Sequence, residues 1–290
     1  MRKAKEGRTR VKAEELDAHM RRVGTWVDWD RTVDQFLAGD PKTEVKGIAV
    51  SWMPTLANLG KALTDGCNMF MTHEPLYSVR VDETGKVIQG SLLTDAHLRI
   101  LATMALDQRD AWVVKQRWLD ETSMVVYRCH DFWDDFPEIG IHGAWAKWLG
   151  FLGKPVAARK FYEVHEVGDT SVGDLAKRIL ERVKPLGQEA VLVVGDLGKK
   201  ASRLALGTGA ITQYRVMHST GADVLLVTDD GTRLWESGQW SLDTEIPLII
   251  VNHSTSEEPG MRTLALYLQQ VFPDVHVKEI PVGCIYTTVK

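Results

Sequence analysis

Short apolar runs recur along this chain, and three of them end close to a histidine. Such runs are typical of buried strands, and the helical patterns between them indicate a parallel sheet. The pattern therefore predicts an α/β fold, with helices packed on the faces of the sheet. The three runs and the metal-capable residues after them are Met69–Thr72 with His73 and Glu74, residues 124–127 with His130 and Asp134, and Leu248–Val251 with His253 and Glu257.

The positions of these histidines predict a common site. Open α/β sheets bind ligands beyond the carboxyl ends of their strands. If the three strands share one parallel sheet, the side chains that follow them converge although they are far apart in sequence. Two or three histidines with several carboxylates are a typical metal-ligand set. One His-Glu pair alone would more often lie in a surface loop, but three segments after the same kind of strand indicate one metal site.

Periodicity and turn residues predict the remaining elements. Residues 46–52, 55–65 and 68–72 form a β-α-β unit, whose connection we expect to be right-handed. Asp82 to Gly85 predict a hairpin turn or exposed loop. Further helices are predicted at 13–22, 26–37, 95–107, 110–119, 141–149, 172–184 and 211–220 and after 254, and further strands at 190–195, 223–228, 275–280 and 284–289.

The length of the chain predicts the number of domains, and a second series of strand and helix patterns, which begins at about residue 161, predicts where they divide. A chain of 290 residues suits one large domain or two ordinary ones. Lys154-Pro155 is the best candidate boundary. We predict an N-terminal helical segment with a basic tail (1–45), a metal-site α/β domain (46–154 with 246–290) and a second α/β subdomain (155–245).

Composition and charge exclude several partners. A hydrophobic content of 44% supports a full core, and a net charge of −4 gives no general attraction to nucleic acid or anionic membranes. The basic stretch 1–12 is expected to be a solvated tail rather than a nucleic-acid arm, because it lacks interleaved aromatic residues. No run approaches the ~18 apolar residues of a membrane span.

The cysteine spacing and the absence of several motifs limit the classes of site that we expect in this chain. Cys67, Cys129 and Cys284 show no CxxC spacing, which argues against a disulfide framework and a zinc finger and favours a reducing, cytoplasmic compartment. The nucleotide-binding patterns GxGxxG and GxxxxGK[ST] are absent, as is the serine-hydrolase pattern GxSxG.

Three segments carry a family resemblance. Residues 71–77 (M-T-H-E-P-L-Y) resemble the T-H-H-P-L-[FY] motif of the NIF-three-like dinuclear-metal-centre family. Residues 130–134 are similar to its H-T-x-x-D motif, and 252–257 to its G-H-x-x-x-E motif. Residues 143–152, 195–209 and 221–228 add weaker similarity, in the same order along the chain. The chain is identified as a divergent member of this family.

The resemblance implies a fold, an assembly and a site. It implies a NIF-three-like fold of two linked α/β parts with mainly parallel sheets, and a ring-shaped homohexamer. Two divalent metal ions (Zn, Mn or Fe) are expected, with His130 lining their site. An activity like that of a type 2 GTP cyclohydrolase is associated with the family. The ligands implied by the matching motifs are His73, Glu74, Asp134, His253 and Glu257.

The chain also departs from the family pattern. Glu74 occupies the position of the second histidine, which changes the set to two histidines and three carboxylates and favours harder ions. The family's T-G-[DE] sequence reads Thr228-Asp229-Asp230, its early W-D-N-x-G-L motif is missing, and its A-x-D segment reads A-V-S-W at residues 49–52.

Two classes of function therefore remain open. The first is a metal-dependent hydrolase of a small, nucleotide or phosphate-containing substrate, in which His130 or a carboxylate that does not bind metal moves the proton. The alternative is a non-catalytic, metal-binding ring that acts as a scaffold or regulator. A structural protein that has lost its metal site is a third, weaker hypothesis.

Overall fold

The computed structural model describes residues 11–76, 80–81, 87–88, 111–210 and 212–290. The helix predicted at 95–107 and most of the basic tail lie outside these described residues. The hairpin predicted around 82–85 is supported at its two ends, where Arg80–Val81 and Val87–Ile88 pair in antiparallel fashion.

Contacts between residues divide the chain into two compact units. Unit 1 contains Met1–Phe132 and Ala265–Ile280, and unit 2 contains Trp133–Leu264 and Pro281–Lys290. These divisions differ from the boundaries predicted at 154 and 245. The strand at Leu248–Val251 pairs within the sheet of unit 2, so the stretch after 245 does not join the first sheet at that point.

Unit 1 contains a five-stranded sheet in the order β1-β6-β3-β2-β13. Three of its four pairings are parallel, and β1 adds an antiparallel edge. The helix Leu56–Thr64, which connects two of the parallel strands, is N-capped by Thr55. The Thr55 side chain accepts a hydrogen bond from the backbone N–H of Asn58. The elements are α1 (Ala13–Val23), β1 (Gln35–Ala38), β2 (Gly47–Ser51), α2 (Leu56–Thr64), β3 (Met69–Thr72), β4 (Arg80–Val81), β5 (Val87–Ile88), α3 (Ala111–Thr122), β6 (Val125–Arg128), α4 (Asp131–Asp134) and β13 (His276–Glu279).

The prediction of a helix at 26–37 was wrong. Residues 35–38 form strand β1, which pairs with β6, and the Phe36 ring lies edge-on to the Tyr127 ring at 5.0 Å. Phe36 and Leu37 have the spacing of a helix face, but cross-strand packing on β6 determines their conformation. A tertiary contact has overridden a short local pattern here.

Unit 2 contains a six-stranded mixed sheet in the order β7-β8-β10-β11-β12-β9. Only the two central pairings, β10-β11 and β11-β12, are parallel. The elements are α5 (Ile141–Leu149), β7 (Ala157–Arg159), β8 (Tyr162–Ser171), α6 (Val172–Val183), β9 (Leu192–Val194), β10 (Lys200–Leu206), α7 (Tyr214–His218), β11 (Val224–Thr228), α8 (Gln239–Thr244), β12 (Leu248–Val251) and α9 (His253–Val271).

Strand β11 shows why this sheet is buried on both faces. Val224 and Leu226 enter one hydrophobic cluster, whereas Leu225 and Val227 enter another. Successive side chains of a strand point to opposite faces, so each face carries its own core. The continuous apolar run in the sequence is the signature of this burial.

The α/β class predicted from the sequence is confirmed, with two main sheets and helices packed on them. Helix α5 has the predicted bounds and ends at Gly150, whose φ of +99° favours glycine. The prediction of a strand at 284–289 was wrong, because those residues form no ladder. Among the described residues, none of the helices has the length and hydropathy needed to cross a membrane.

Two helix-interior glycines should respond in opposite ways to alanine. A Cβ at Gly60 of α2 would meet nothing within 4 Å, so Gly60→Ala should raise the free energy of unfolding by about 0.5–1 kcal/mol. A Cβ at Gly260 of α9 would lie 2.9 Å from the Ile141 Cα, so Gly260→Ala should lower it by about 1–3 kcal/mol. Urea denaturation measures both; equal effects would contradict this packing.

Candidate metal centre

Residues 73 and 74 leave strand β3 through a bend rather than extending it. The backbone N–H of Glu74 donates to the Trp52 carbonyl at 2.9 Å, and the Thr72 hydroxyl donates to the Glu74 carbonyl at 3.0 Å. On an extended backbone the two side chains would point to opposite faces. The bend instead brings metal-capable atoms of His73 and Glu74 within 4.8 Å of each other.

His73 is fully buried and its ring is held on two sides. Its Nδ1 lies 3.3 Å from the Cys129 carbonyl, which can only accept, so Nδ1 carries the proton and Nε2 carries the lone pair. The ring stacks on the His130 ring at 4.3 Å. The two imidazoles lie within the range for a shared metal ion. Arg128 lies 3.7 Å from the Glu74 carboxylate.

Asp34 fixes the position of His130, and the sequence analysis did not identify it. This buried carboxylate accepts backbone N–H bonds from His130, Asp131 and Phe132 at 2.5, 3.0 and 2.7 Å. Burial raises the pKa of Asp34, and the bonds from the backbone of His130 and Phe132 oppose that rise. An isolated acid in a polar stretch gave no sequence signal, because its partners lie almost a hundred residues away.

His130 has a carboxylate partner of its own. Its Nδ1 lies 2.9 Å from Oδ1 of Asp131. Burial acts to raise the pKa of Asp131, but hydrogen bonds with the His130 and Thr32 side chains outweigh it and lower the pKa to about 2. An ionised Asp131 orients the imidazole through this contact. Asp134 is the last residue of α4 and is partly buried.

In unit 2, His253 is the first residue of α9 and follows β12 almost directly. It is buried, and both of its ring nitrogens face carboxylates. Nδ1 lies 3.1 Å from Asp230 Oδ2, and Nε2 lies 3.1 Å from Glu257 Oε2. Residues four apart in a helix share a face, which explains why Glu257 reaches the imidazole.

Asp229 and Asp230 hold this histidine in place. Asp229 accepts bonds from the His253 backbone N–H and the Asn252 side-chain amide, both at 2.8 Å. The hydrogen bond with His253 lowers the pKa of Asp230. In the sequence this acidic pair stands out only as a departure from the family pattern. The signal it missed was a pair of acids directly after β11, the strand next to β12 in the sheet.

The side chains around His253 fit a divalent metal ion. A metal-ligating histidine commonly donates its other N–H to a carboxylate, as Nδ1 can to Asp230. Two ligand atoms at metal distances of roughly 2.1 Å are expected to lie about 3.0–3.4 Å apart. The 3.1 Å between His253 Nε2 and Glu257 Oε2 matches that separation.

The three histidines do not follow strands of one sheet, so that prediction was wrong. Strands β3 and β6 are parallel neighbours in the sheet of unit 1, so His73 and the 129–134 segment do follow adjacent strand ends. Strand β12 belongs to the sheet of unit 2. Apolar runs show that a strand is buried, but they do not show which sheet buries it.

A comparison with protein families gives one match. Residues 114–284 match the model of the family described as Duf34/NIF3 (NGG1p interacting factor 3). No curated protein matches the chain.

Solved structures share the fold at low sequence identity. Hypothetical protein SA1388 of Staphylococcus aureus is 18% identical, with a TM-score of 0.72 and coverage of 97% of this chain and 100% of that one. A Bacillus cereus protein related to NIF3 is 12% identical, with a TM-score of 0.73 and coverage of 97% and 100%. Reduced HcgD from Methanocaldococcus jannaschii is 17% identical, with a TM-score of 0.65 and coverage of 94% and 99%.

The substitution Asp34→Ala should destabilise the protein strongly. It removes the acceptor of three backbone N–H groups at the start of α4, so we expect the free energy of unfolding to fall by about 2–4 kcal/mol. Urea denaturation measures the loss. Asp30→Ala, at an exposed acid nearby, should change stability by less than about 0.5 kcal/mol. Equal losses in both variants would contradict the role assigned to Asp34.

Proposed function

The chain belongs to the Duf34/NIF3 family, and we propose that it is a metal-dependent hydrolase of a small substrate. It binds two divalent metal ions, and its substrate is a nucleotide or another phosphate-containing molecule. The proposed ligands are His73, Glu74, Asp134, His253 and Glu257.

The surroundings of His253 support this proposal most directly. A buried histidine with Glu257 at Nε2 and Asp230 at Nδ1 has the donors of a metal ligand and the carboxylate partner that orients one. A purely structural histidine needs only one partner to satisfy its proton. Two carboxylates beside one buried imidazole leave excess negative charge, which a cation would neutralise.

The donor set narrows the choice of metal. Two imidazoles and three carboxylates suit Mn²⁺, Fe²⁺ or Zn²⁺. Three carboxylates offset much of the charge of two divalent ions. When bound, such ions supply an activated water and stabilise negative charge that develops on the substrate.

The dyad of His130 and Asp131 supplies proton transfer. With its Nδ1 bonded to Asp131, His130 accepts or donates a proton at Nε2. The low pKa of Asp131 keeps that carboxylate ionised, so it remains the partner that orients the His130 ring. Asp34 holds the His130 backbone and so fixes the starting point of the transfer.

Assembly and location complete the proposal. We propose a homohexamer in the cytoplasm, with no nucleic-acid or membrane partner. Cys67, Cys129 and Cys284, all within the described residues, form no disulfide, which suits a reducing compartment.

Metal content tests the site. Elemental analysis of protein prepared without chelators should find about two divalent ions per chain in the wild type and fewer in His253→Ala, since a ligand is lost. His276→Ala, at an exposed histidine of β13, should keep the wild-type content and serves as the control. Absence of metal from wild-type protein, even after reconstitution, would refute the proposed site.

Turnover separates the hydrolase from the scaffold. Phosphate esters and nucleotides are screened with metal-loaded protein. In His130→Ala, kcat should fall by about 10²–10⁴-fold because proton transfer is lost, and a metal content equal to that of the wild type would show that His130 is not a required ligand. Glu74→Ala should lose both metal and turnover. Metal-dependent assembly without hydrolysis of any of these substrates would favour the non-catalytic alternative.

A further inference from the structure

Residues 281–286, named the anchored segment here, are tied to the first two turns of α9. The backbone N–H groups of Val282 and Gly283 both donate to Glu258 Oε2, at 3.0 and 2.9 Å. The Ser254 hydroxyl donates to the Gly283 carbonyl at 2.5 Å. The Ile285 N–H donates to Asn252 Oδ1 at 3.2 Å. These bonds use backbone groups that would otherwise need water.

The bonds to the anchored segment alternate in sequence with the proposed metal ligands. His253 and Glu257 share one face of α9, four residues apart. Ser254 and Glu258 follow them by one residue, so their face is rotated by about 100°. One stretch of helix therefore carries ligands on one face and holds the anchored segment on the neighbouring face.

A second route joins the anchored segment to His253 through side chains. Asn252 accepts from the Ile285 N–H at its oxygen and donates to Asp229 from its nitrogen. Asp229 in turn accepts the backbone N–H of His253. Movement of Ile285 would thus disturb the group that places the His253 backbone.

Burial makes these bonds costly to break. Glu258 is 3% exposed and Ser254 is fully buried. A buried carboxylate that loses its donors pays a desolvation penalty, so the anchored segment and the start of α9 hold each other in one arrangement.

Gly283 allows the anchored segment to lie close to the Leu186 backbone. Its φ is +64°, and a Cβ there would lie 2.5 Å from the Leu186 carbonyl oxygen. Any other residue must therefore displace the anchored segment or the Leu186 carbonyl.

We propose that Asn252 and Glu258 are positioning residues for the metal site, and that metal binding and attachment of the anchored segment strengthen each other. The inference rests on the proposed function, because it takes His253 and Glu257 as ligands. Coupling between two binding events is reciprocal. Metal should therefore tighten the segment, and a displaced segment should weaken metal binding.

Hydrogen exchange tests the first direction in the wild-type protein. The amides of Val282, Gly283 and Ile285 should exchange about tenfold more slowly with saturating Mn²⁺ or Zn²⁺ than without it. In His253→Ala the same metal should leave their exchange unchanged. Unchanged exchange in a wild type that demonstrably binds metal overturns the inference.

Two glycine variants test the second direction. Gly283→Ala should raise the Kd for Mn²⁺, measured by calorimetry, by about 10–100-fold, the usual effect of disturbing groups behind a ligand. Gly168→Ala is the matched control, because Gly168 also has a positive φ but a Cβ there would meet nothing within 4 Å. A folded Gly283→Ala protein with the wild-type Kd overturns the inference.

Two substitutions at Glu258 test whether its side-chain oxygen supports metal binding. Glu258→Ala should weaken Mn²⁺ binding, and Glu258→Gln should restore part of it, since the amide oxygen still accepts from the anchored segment. Elemental analysis of the wild type distinguishes the two possible failures. If the wild type binds no metal, both the proposed function and this inference fall. If it binds metal but no coupling is seen, only the inference falls.

Discussion

Buried or partly buried carboxylates that accept backbone N–H groups are the interaction on which both units depend. Asp34 binds the backbone of residues 130–132, and Asp229 binds the backbone of His253. Glu258 binds the backbone at 282–283. A buried negative charge is tolerated only where donors surround it, so each carboxylate dictates the path of a distant loop. The backbone positions of His130 and His253 are fixed by these bonds.

This arrangement also determines the protonation of the histidines. The Cys129 carbonyl fixes the proton of His73 on Nδ1, and Asp230 attracts a proton to Nδ1 of His253. In both cases Nε2 is the nitrogen that presents a lone pair. Asp131 lies beside Nδ1 of His130 in the same way, and its low pKa keeps it ionised as the partner of that nitrogen. Similar geometry thus suits two histidines to metal binding and one to proton transfer.

The sequence predicted local structure best where several signals agreed. Helix α5 was placed residue for residue, because an apolar helical face is followed by a glycine that can adopt positive φ. The prediction of a helix at residues 26–37 was wrong because Phe36 pairs with and packs against Tyr127, which lies ninety-one residues away in the sequence. Residues 284–289 alternate like a strand, but Ile285 bonds to the Asn252 side chain and Cys284 to the Leu186 carbonyl instead of to a neighbouring strand. Local patterns carry no information about such partners.

The sequence by itself determined the α/β class, the buried strands and the histidines and carboxylates that follow them, because hydrophobic periodicity and residue chemistry are local properties. Only the tertiary structure decided that β12 belongs to the second sheet, that the chain bends at His73 and Glu74, and that Asp34, Asp229 and Asp230 support the histidines. Those outcomes depend on hydrogen bonds between residues up to almost a hundred positions apart. Such bonds form only once burial makes an unpaired charge or amide costly.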